Sequence, residues 1–125
     1  MIISRTPLRM SFVGGGSDMA SYYKNHGGAV VSTSISKYIY LCGNKKFEPG
    51  YRLSYSEQEN ILNIDDIKHH LFRECLRYFD LKDFFEIASI ADIPSSGSGL
   101  GSSSSFTVGL INLLSTFQGK TLTKE

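Results

Sequence analysis

The stretch PSSGSGLGSSSS, residues 94–105, matches on composition the flexible glycine/serine linker that joins two independent domains. The same two residue types also build loops that cradle anions, because both leave backbone N–H groups open to a ligand. The flanking residues decide between the two. Upstream, FFEIASIADI (residues 84–93) reads as a strand running directly into the stretch. Downstream, Phe106, Leu110, Leu113, Leu114 and Phe117 recur at helical spacing, and Leu100 inside the loop is no linker residue. A strand, a glycine-rich turn and a helix N-terminus make a phosphate site. The first helical N–H groups lack intrahelical partners, and the helix macrodipole adds about half a positive charge there. Gly97, Gly99 and Gly101 let the backbone come close, and the serine hydroxyls can bond phosphate oxygens or a magnesium ion.

Two other phosphate loops are excluded. A P-loop needs Gly-Lys-Ser/Thr at the helix start, whereas Ser102 follows Gly101 with no lysine nearby. A dinucleotide fingerprint needs Gly-x-Gly-x-x-Gly, and the spacing here is Gly-x-Gly-x-Gly.

The 125 residues, 41% apolar and 12% aromatic, match one globular core. Thirteen basic and twelve acidic residues leave a net charge of +1, which provides no basic field for nucleic acid or an anionic membrane. The N-terminal MIISRTPLRM lacks the apolar core of a signal peptide, and no apolar run approaches the roughly 20 residues of a membrane span. A cytoplasmic location is therefore the expectation. Cys42 and Cys75 fall in strand and helix contexts and read as buried thiols, not as a disulfide framework or metal site.

Ile2 to Val13 reads as one or two short strands ending in three glycines. In SDMASYYKNHGG (residues 17–28), Ser17 or Asp18 can cap a short helix that Gly27 and Gly28 end. AVVSTSI, KYIYLCG and YRLSY follow as three strands. From Asp65 the period becomes helical through Ile67, Leu71, Cys75, Tyr78 and Phe79, with Asp65 or Asp66 as cap and an end near Asp80. Gly119 marks a helix stop, and Thr123 reads as the start of a further helix, so the domain is expected to be cut off. His26 reads as a solvated turn residue. His69 and His70 are adjacent, so they cannot share a helical face as a metal pair. Tyr22, Tyr23, Tyr38 and Tyr40 read as core and rim aromatics, with Tyr38 or Tyr40 able to border a nucleotide pocket.

Together the motifs resemble the GHMP kinases, the superfamily of galactokinase and of homoserine, mevalonate and phosphomevalonate kinases. The glycine/serine stretch is similar to the family's Pro-x-x-x-Gly-Leu-Gly-Ser-Ser-Ser/Ala loop, and TPLRMSFVGGGSD (residues 6–18) resembles its N-terminal motif. The Gly-Gly-Gly-Ser-Asp ending, followed in order by YY, HGGAVVSTSISKYIY and YSEQE, resembles the branch of D-glycero-D-manno-heptose 7-phosphate kinases.

The resemblance implies an α+β fold of the GHMP N-terminal type: a mostly antiparallel sheet with helices packed on one face. It would be incomplete, with the substrate turn at 9–18, the ATP phosphate loop at 94–105 and the C-terminal domain absent. It implies that Pro94, Ser95, Ser96, Gly97, Ser98, Gly99, Leu100, Gly101, Ser102, Ser103 and Ser104 wrap the ATP phosphates. Ser103, or the adjacent Ser102, would stand near Mg2+. Arg9 matches an active-site arginine of galactokinases and Asp18 their aspartate that bonds sugar hydroxyls. Gly15 and Gly16 replace the Glu-His of galactokinases, leaving room beside Ser17 and Asp18 for a larger or differently posed sugar phosphate. Without the resemblance, Arg9 reads as a surface ion-pairing residue and Asp18 as a helix cap.

The activity so implied is ATP-dependent phosphorylation of a sugar phosphate, at the anomeric hydroxyl of a heptose 7-phosphate, for cell-surface polysaccharide synthesis. The alternatives are a galactokinase-like or fucokinase-like sugar kinase, or a non-catalytic nucleotide-binding fragment. The branch's base motif, Gly-x-Gln-Asp-Gln, does not occur in these residues, so the chain alone is expected to bind without turnover. Its partners are small molecules, and the oligomeric state is left open.

Overall fold

A computed structural model describes residues 1–81, 83–94 and 98–120. In chain order the elements are β1 (Ile2–Val13), α1 (Ala20–His26), β2 (Val31–Lys46), β3 (Tyr51–Ser54), β4 (Gln58–Ile61), α2 (His70–Phe79), β5 (Phe84–Ala91) and α3 (Ser102–Phe117). The strands form one sheet in the order β1-β2-β5-β3-β4, antiparallel except for the β3–β5 pair. This is the mixed α+β architecture expected from the sequence.

Alternation along the strands sends one set of side chains to the helices. Ile39 and Leu41 of β2, Leu53 of β3, and Phe85 and Ile87 of β5 are buried on that face. Against them pack Phe72 and Leu76 of α2 and Phe106, Leu110, Leu113 and Leu114 of α3. Each large apolar side chain buried this way contributes about 1.5–3 kcal/mol. The opposite face stays open, with Ile3 and Ile90 exposed.

The N-terminal half is more continuous than its punctuation predicts. AVVSTSI and KYIYLCG merge into the single sixteen-residue β2. The pairing register steps from Pro7↔Tyr38 to Arg9↔Ser34, so a bulge beside Leu8 absorbs the irregularity that reads as a strand break. Leu8 is fully buried there, and Pro7 is tolerated because β1 is an edge strand. The strand β4 lies in a polar run, SEQEN, with no apolar alternation to announce it.

Both N-cap expectations are corrected. Met19, not Ser17 or Asp18, caps α1, without a side-chain bond, because Ser17 and Asp18 are already engaged in the turn before it. His69, not Asp65 or Asp66, caps α2, its Nδ1 accepting from Phe72 N–H at 3.4 Å; the aspartates end a separate 3-10 turn, Ile64–Asp66. The end of α2 at Asp80, in a left-handed conformation (φ 42°), and the stop at Gly119 (φ 72°) are as read. Tyr78 is not on the apolar face: it is exposed. Cys75 is buried and Cys42 half-buried, both as free thiols. Thr123 lies outside the described residues.

Candidate phosphate and substrate site

The backbone of Gly101 turns the chain from loop into helix. It sits at φ 72°, a left-handed conformation that glycine adopts without strain, and has no side chain with which to cap α3. The first bond of the helix runs from Ser105 N–H to the Gly101 carbonyl at 2.9 Å. The N–H groups of Ser102, Ser103 and Ser104 therefore have no partner among the described residues, and they open toward solvent at the positive end of the helix dipole.

Two bonds fasten this helix end to β1. Arg9 N–H donates to the Leu100 carbonyl at 3.1 Å, and the buried Ser105 hydroxyl donates to the Pro7 carbonyl at 3.0 Å. The β1 bulge thus aims Arg9 at the loop, and its side chain passes so near Gly101 that a β-carbon there would meet Arg9 Cγ at 3.0 Å. Arg9, Ser98, Gly99, Gly101, Ser102, Ser103 and Ser104 together line a polar cavity of about 300 Å3. Arg9 has no carboxylate partner among the described residues; its guanidinium donates to the Ser11 hydroxyl. The arrangement offers one cation, a row of N–H donors and several hydroxyls, which is the chemistry of an oxyanion receptor. The Ser98 and Ser102 hydroxyls are 3.2 Å apart, while Ser103 is exposed on the rim. Pro94 is exposed, three residues past the end of β5; Ser95, Ser96 and Gly97, also assigned to the loop, lie outside the described residues.

The Gly-Gly-Gly-Ser-Asp turn is a separate piece of geometry. Gly14 has φ 84°, and a β-carbon on it would fall 1.9 Å from the Ala29 carbonyl oxygen, so no other residue fits. Ser17 is consumed by structure: its hydroxyl lies 2.7 Å from the Gly14 carbonyl and 2.9 Å from that of Ala29, and accepts from Ala29 N–H at 3.2 Å. Asp18 is exposed, with Oδ1 accepting from Gly16 N–H at 3.1 Å. Around Gly15 and Gly16 there is open space. None of Gly15, Gly16, Ser17 or Asp18 lines the Arg9 cavity.

A second cavity, of about 290 Å3, borders the same β5–α3 connection. Tyr55, Ser56, His69, Ser89, Ile93 and Phe106 line it. The His69 ring lies 4.7 Å from that of Tyr55 and 5.1 Å from that of Phe106. Behind these rings Glu59 is buried, and its carboxylate accepts from Tyr55 Oη at 2.9 Å, Lys68 N–H at 2.8 Å and His69 N–H at 3.2 Å. Burial alone would raise the carboxyl pKa, but these donors and the Lys68 charge outweigh it and hold Glu59 below its ordinary value. Burial, and then the bond to Glu59, push the Tyr55 phenol up to about 12. Burial also pushes the His69 imidazole below its ordinary value, and its Nδ1 accepts from Phe72 N–H.

Residues 67–125 match the GHMP kinases N terminal domain family. The chain is 36% identical, over 123 aligned residues, to a D-glycero-alpha-D-manno-heptose 7-phosphate kinase of Campylobacter jejuni subsp. jejuni, covering 88% of this chain and 36% of the relative. The chain resembles a GHMP kinase N-terminal domain along residues 67–125, which hold α2, β5 and α3. Its fold is that of a D-glycero-D-manno-heptose 1-phosphate kinase from Bacteriodes thetaiotaomicron, with a TM-score of 0.82 at 23% identity, covering 98% of this chain and 44% of that one. It is also that of the Methanococcus jannaschii mevalonate kinase, with a TM-score of 0.73 at 25% identity, covering 98% and 42%. The chain thus spans 36% of the length of the curated relative it matches.

The second cavity is what sequence reasoning missed. Tyr38 and Tyr40, the aromatics read as possible nucleotide neighbours, alternate with buried Ile39 and Leu41 and so face the open side of the sheet, where the Arg5 guanidinium sits 4.8 Å from the Tyr38 ring centre. Tyr55 and His69 line the cavity at the β5–α3 connection. No local pattern marks Glu59, because two of its three donors arrive from nine and ten residues further on and the third from the Tyr55 hydroxyl.

Proposed function

We propose that this chain is the nucleotide-binding part of an ATP-dependent sugar-phosphate kinase. It would hold the triphosphate at the N-terminus of α3, with Arg9 beside it. The observation that carries this reading is the row of N–H groups at Ser102, Ser103 and Ser104, without partners among the described residues, on the same cavity as a guanidinium that has no carboxylate partner among them. The nucleoside end extends into the adjoining cavity, whose Tyr55, His69 and Phe106 rings offer apolar surface to a planar base.

Transfer forms a bond between the acceptor hydroxyl oxygen and the γ-phosphorus and breaks the bond to the β-γ bridging oxygen, with ADP leaving and the hydroxyl proton passing to water. The protein's part in such chemistry is positioning and charge neutralisation. The helix N–H groups fix the phosphates, and Arg9 offsets negative charge gathering at the leaving oxygens. The exposed Ser103 hydroxyl is a hard oxygen donor suited to Mg2+, and phosphate oxygens and water would supply the remaining ligands. Bound with ATP, the ion would neutralise triphosphate charge. The acceptor is placed at the Gly-Gly-Gly-Ser-Asp turn, with Asp18 bonding sugar hydroxyls and the open space at Gly15 and Gly16 admitting a phosphorylated seven-carbon sugar. The 36% identity to a heptose 7-phosphate kinase supports a heptose phosphate as the acceptor; transfer to its anomeric hydroxyl is what the family resemblance implies.

A second reading, binding without turnover by residues 1–125, is favoured by one feature: no carboxylate or imidazole lines the Arg9 cavity among the described residues. General-base assistance is worth roughly 100- to 10,000-fold. The experiment is an amide NMR titration with MgATP, followed by ADP release with heptose 7-phosphate, galactose and fucose. Shifts centred on Ser102, Ser103 and Ser104 support the site, and their absence in a folded chain refutes it. Turnover that vanishes in Arg9→Ala would refute the second reading.

A further inference from the structure

We propose that Glu59 is a positioning residue for nucleotide recognition, bracing from behind the Tyr55 and His69 rings that form one wall of the cavity beside the phosphate loop. The inference rests on the reading that ATP phosphates bind at the N-terminus of α3.

The geometry is specific. One carboxylate oxygen, Oε1, accepts from both the Tyr55 hydroxyl and the His69 backbone N–H, so a single atom ties the Tyr55 ring to the main chain that carries the His69 ring. The other, Oε2, accepts from Lys68 N–H, fixing the residue before His69. His69 Nδ1 in turn accepts from Phe72 N–H, which sets the imidazole orientation at the cap of α2. Glu59 is 6% exposed and forms no ion pair within 4 Å among the described residues. A buried carboxylate costs free energy unless its lone pairs are satisfied. Here all the satisfying donors belong to the cavity wall or to the residue beside it. A brace needed only to close the sheet edge would have no reason to collect donors from the two residues whose rings face the cavity.

The test separates base recognition from phosphate recognition. MgATP and inorganic tripolyphosphate are titrated calorimetrically into the wild-type chain, Glu59→Gln and Tyr55→Phe. Gln turns an NH2 group toward a backbone N–H, so Glu59→Gln loosens the wall, while Tyr55→Phe deletes one bond and keeps the ring. The expected result is ATP affinity about tenfold weaker in Glu59→Gln and about threefold weaker in Tyr55→Phe, with tripolyphosphate affinity unchanged in both. ATP affinity unchanged, or ATP and tripolyphosphate weakened in parallel, would overturn the proposal. If Glu59→Gln does not fold, Tyr55→Phe decides alone by the same criterion. A wild-type chain that binds tripolyphosphate as tightly as ATP overturns this inference while sparing the phosphate site. One that binds neither overturns both.

Discussion

Arg9 and Gly101, ninety-two positions apart in sequence, lie so close that a β-carbon on Gly101 would fall 3.0 Å from Arg9 Cγ and 3.2 Å from Arg9 Nε. Gly99, also left-handed at φ 65°, has open space around it. Gly101→Ala and Gly99→Ala therefore share a backbone cost of about 1–2 kcal/mol, which denaturation in urea measures. Only Gly101→Ala also displaces Arg9. We expect it to weaken tripolyphosphate binding at least tenfold more than Gly99→Ala does, by roughly the strength of one charge-assisted hydrogen bond. Equal losses would separate Arg9 from the anion.

Replacing the guanidinium tests the charge itself. Arg9→Ala is expected to cost about 1.5–3 kcal/mol of triphosphate binding and to flatten its dependence on salt. Arg9→Lys restores the charge but not the planar fork, so its affinity should fall between the two. Calorimetry at two ionic strengths reads both effects, and an Arg9→Ala chain with wild-type affinity would remove Arg9 from the site.

Asp18 can be probed without breaking its turn. In Asp18→Asn the amide oxygen still accepts from Gly16 N–H, a bond of 3.1 Å in the wild type, while the carboxylate charge is lost. Heptose 7-phosphate binding should weaken about tenfold and ATP binding should stay unchanged. A parallel loss of both would make Asp18 a purely structural residue.

Acid should loosen the second cavity in two stages. Burial among aromatic rings holds the His69 imidazole below its ordinary value of 6.5, with the His70 charge acting the same way and Glu59 opposing. The unfolded chain then binds more protons, so stability falls as pH drops from about 6.5 toward the folded value. Glu59, held below its ordinary 4.5 by its donors despite burial, contributes stability above that pH that is lost as pH falls through its folded value. His69→Asn keeps an acceptor for Phe72 N–H and should abolish the first stage alone, read as the urea midpoint against pH.

How much of this was legible depends on how local the cause is. The loop and α3 could be read because Gly101 and the Leu110, Leu113 and Leu114 stripe act within a few residues. The continuity of β1 and β2 could not, since a bulge at Leu8 reconciles Pro7 with the ladder only once both strands are paired. The α2 cap was misplaced because Asp65 and Asp66 have cap chemistry, yet the 3-10 turn spends them and the helix waits for His69. Arg9 is marked by resemblance, not by pattern, and Glu59 by neither.

The Ser105–Pro7 hydrogen bond spans 98 positions of chain. Such a contact forms only after the intervening loop has paid its closure entropy, so it belongs to the slow, non-local part of folding. The anion receptor is consequently assembled late, after local helices and hairpins, and cannot serve as their nucleus. A nascent chain would stay blind to nucleotide until α3 has formed and docked against β1. Ligand added during refolding should therefore slow unfolding and leave the folding rate untouched, a kinetic signature of interactions absent from the transition state.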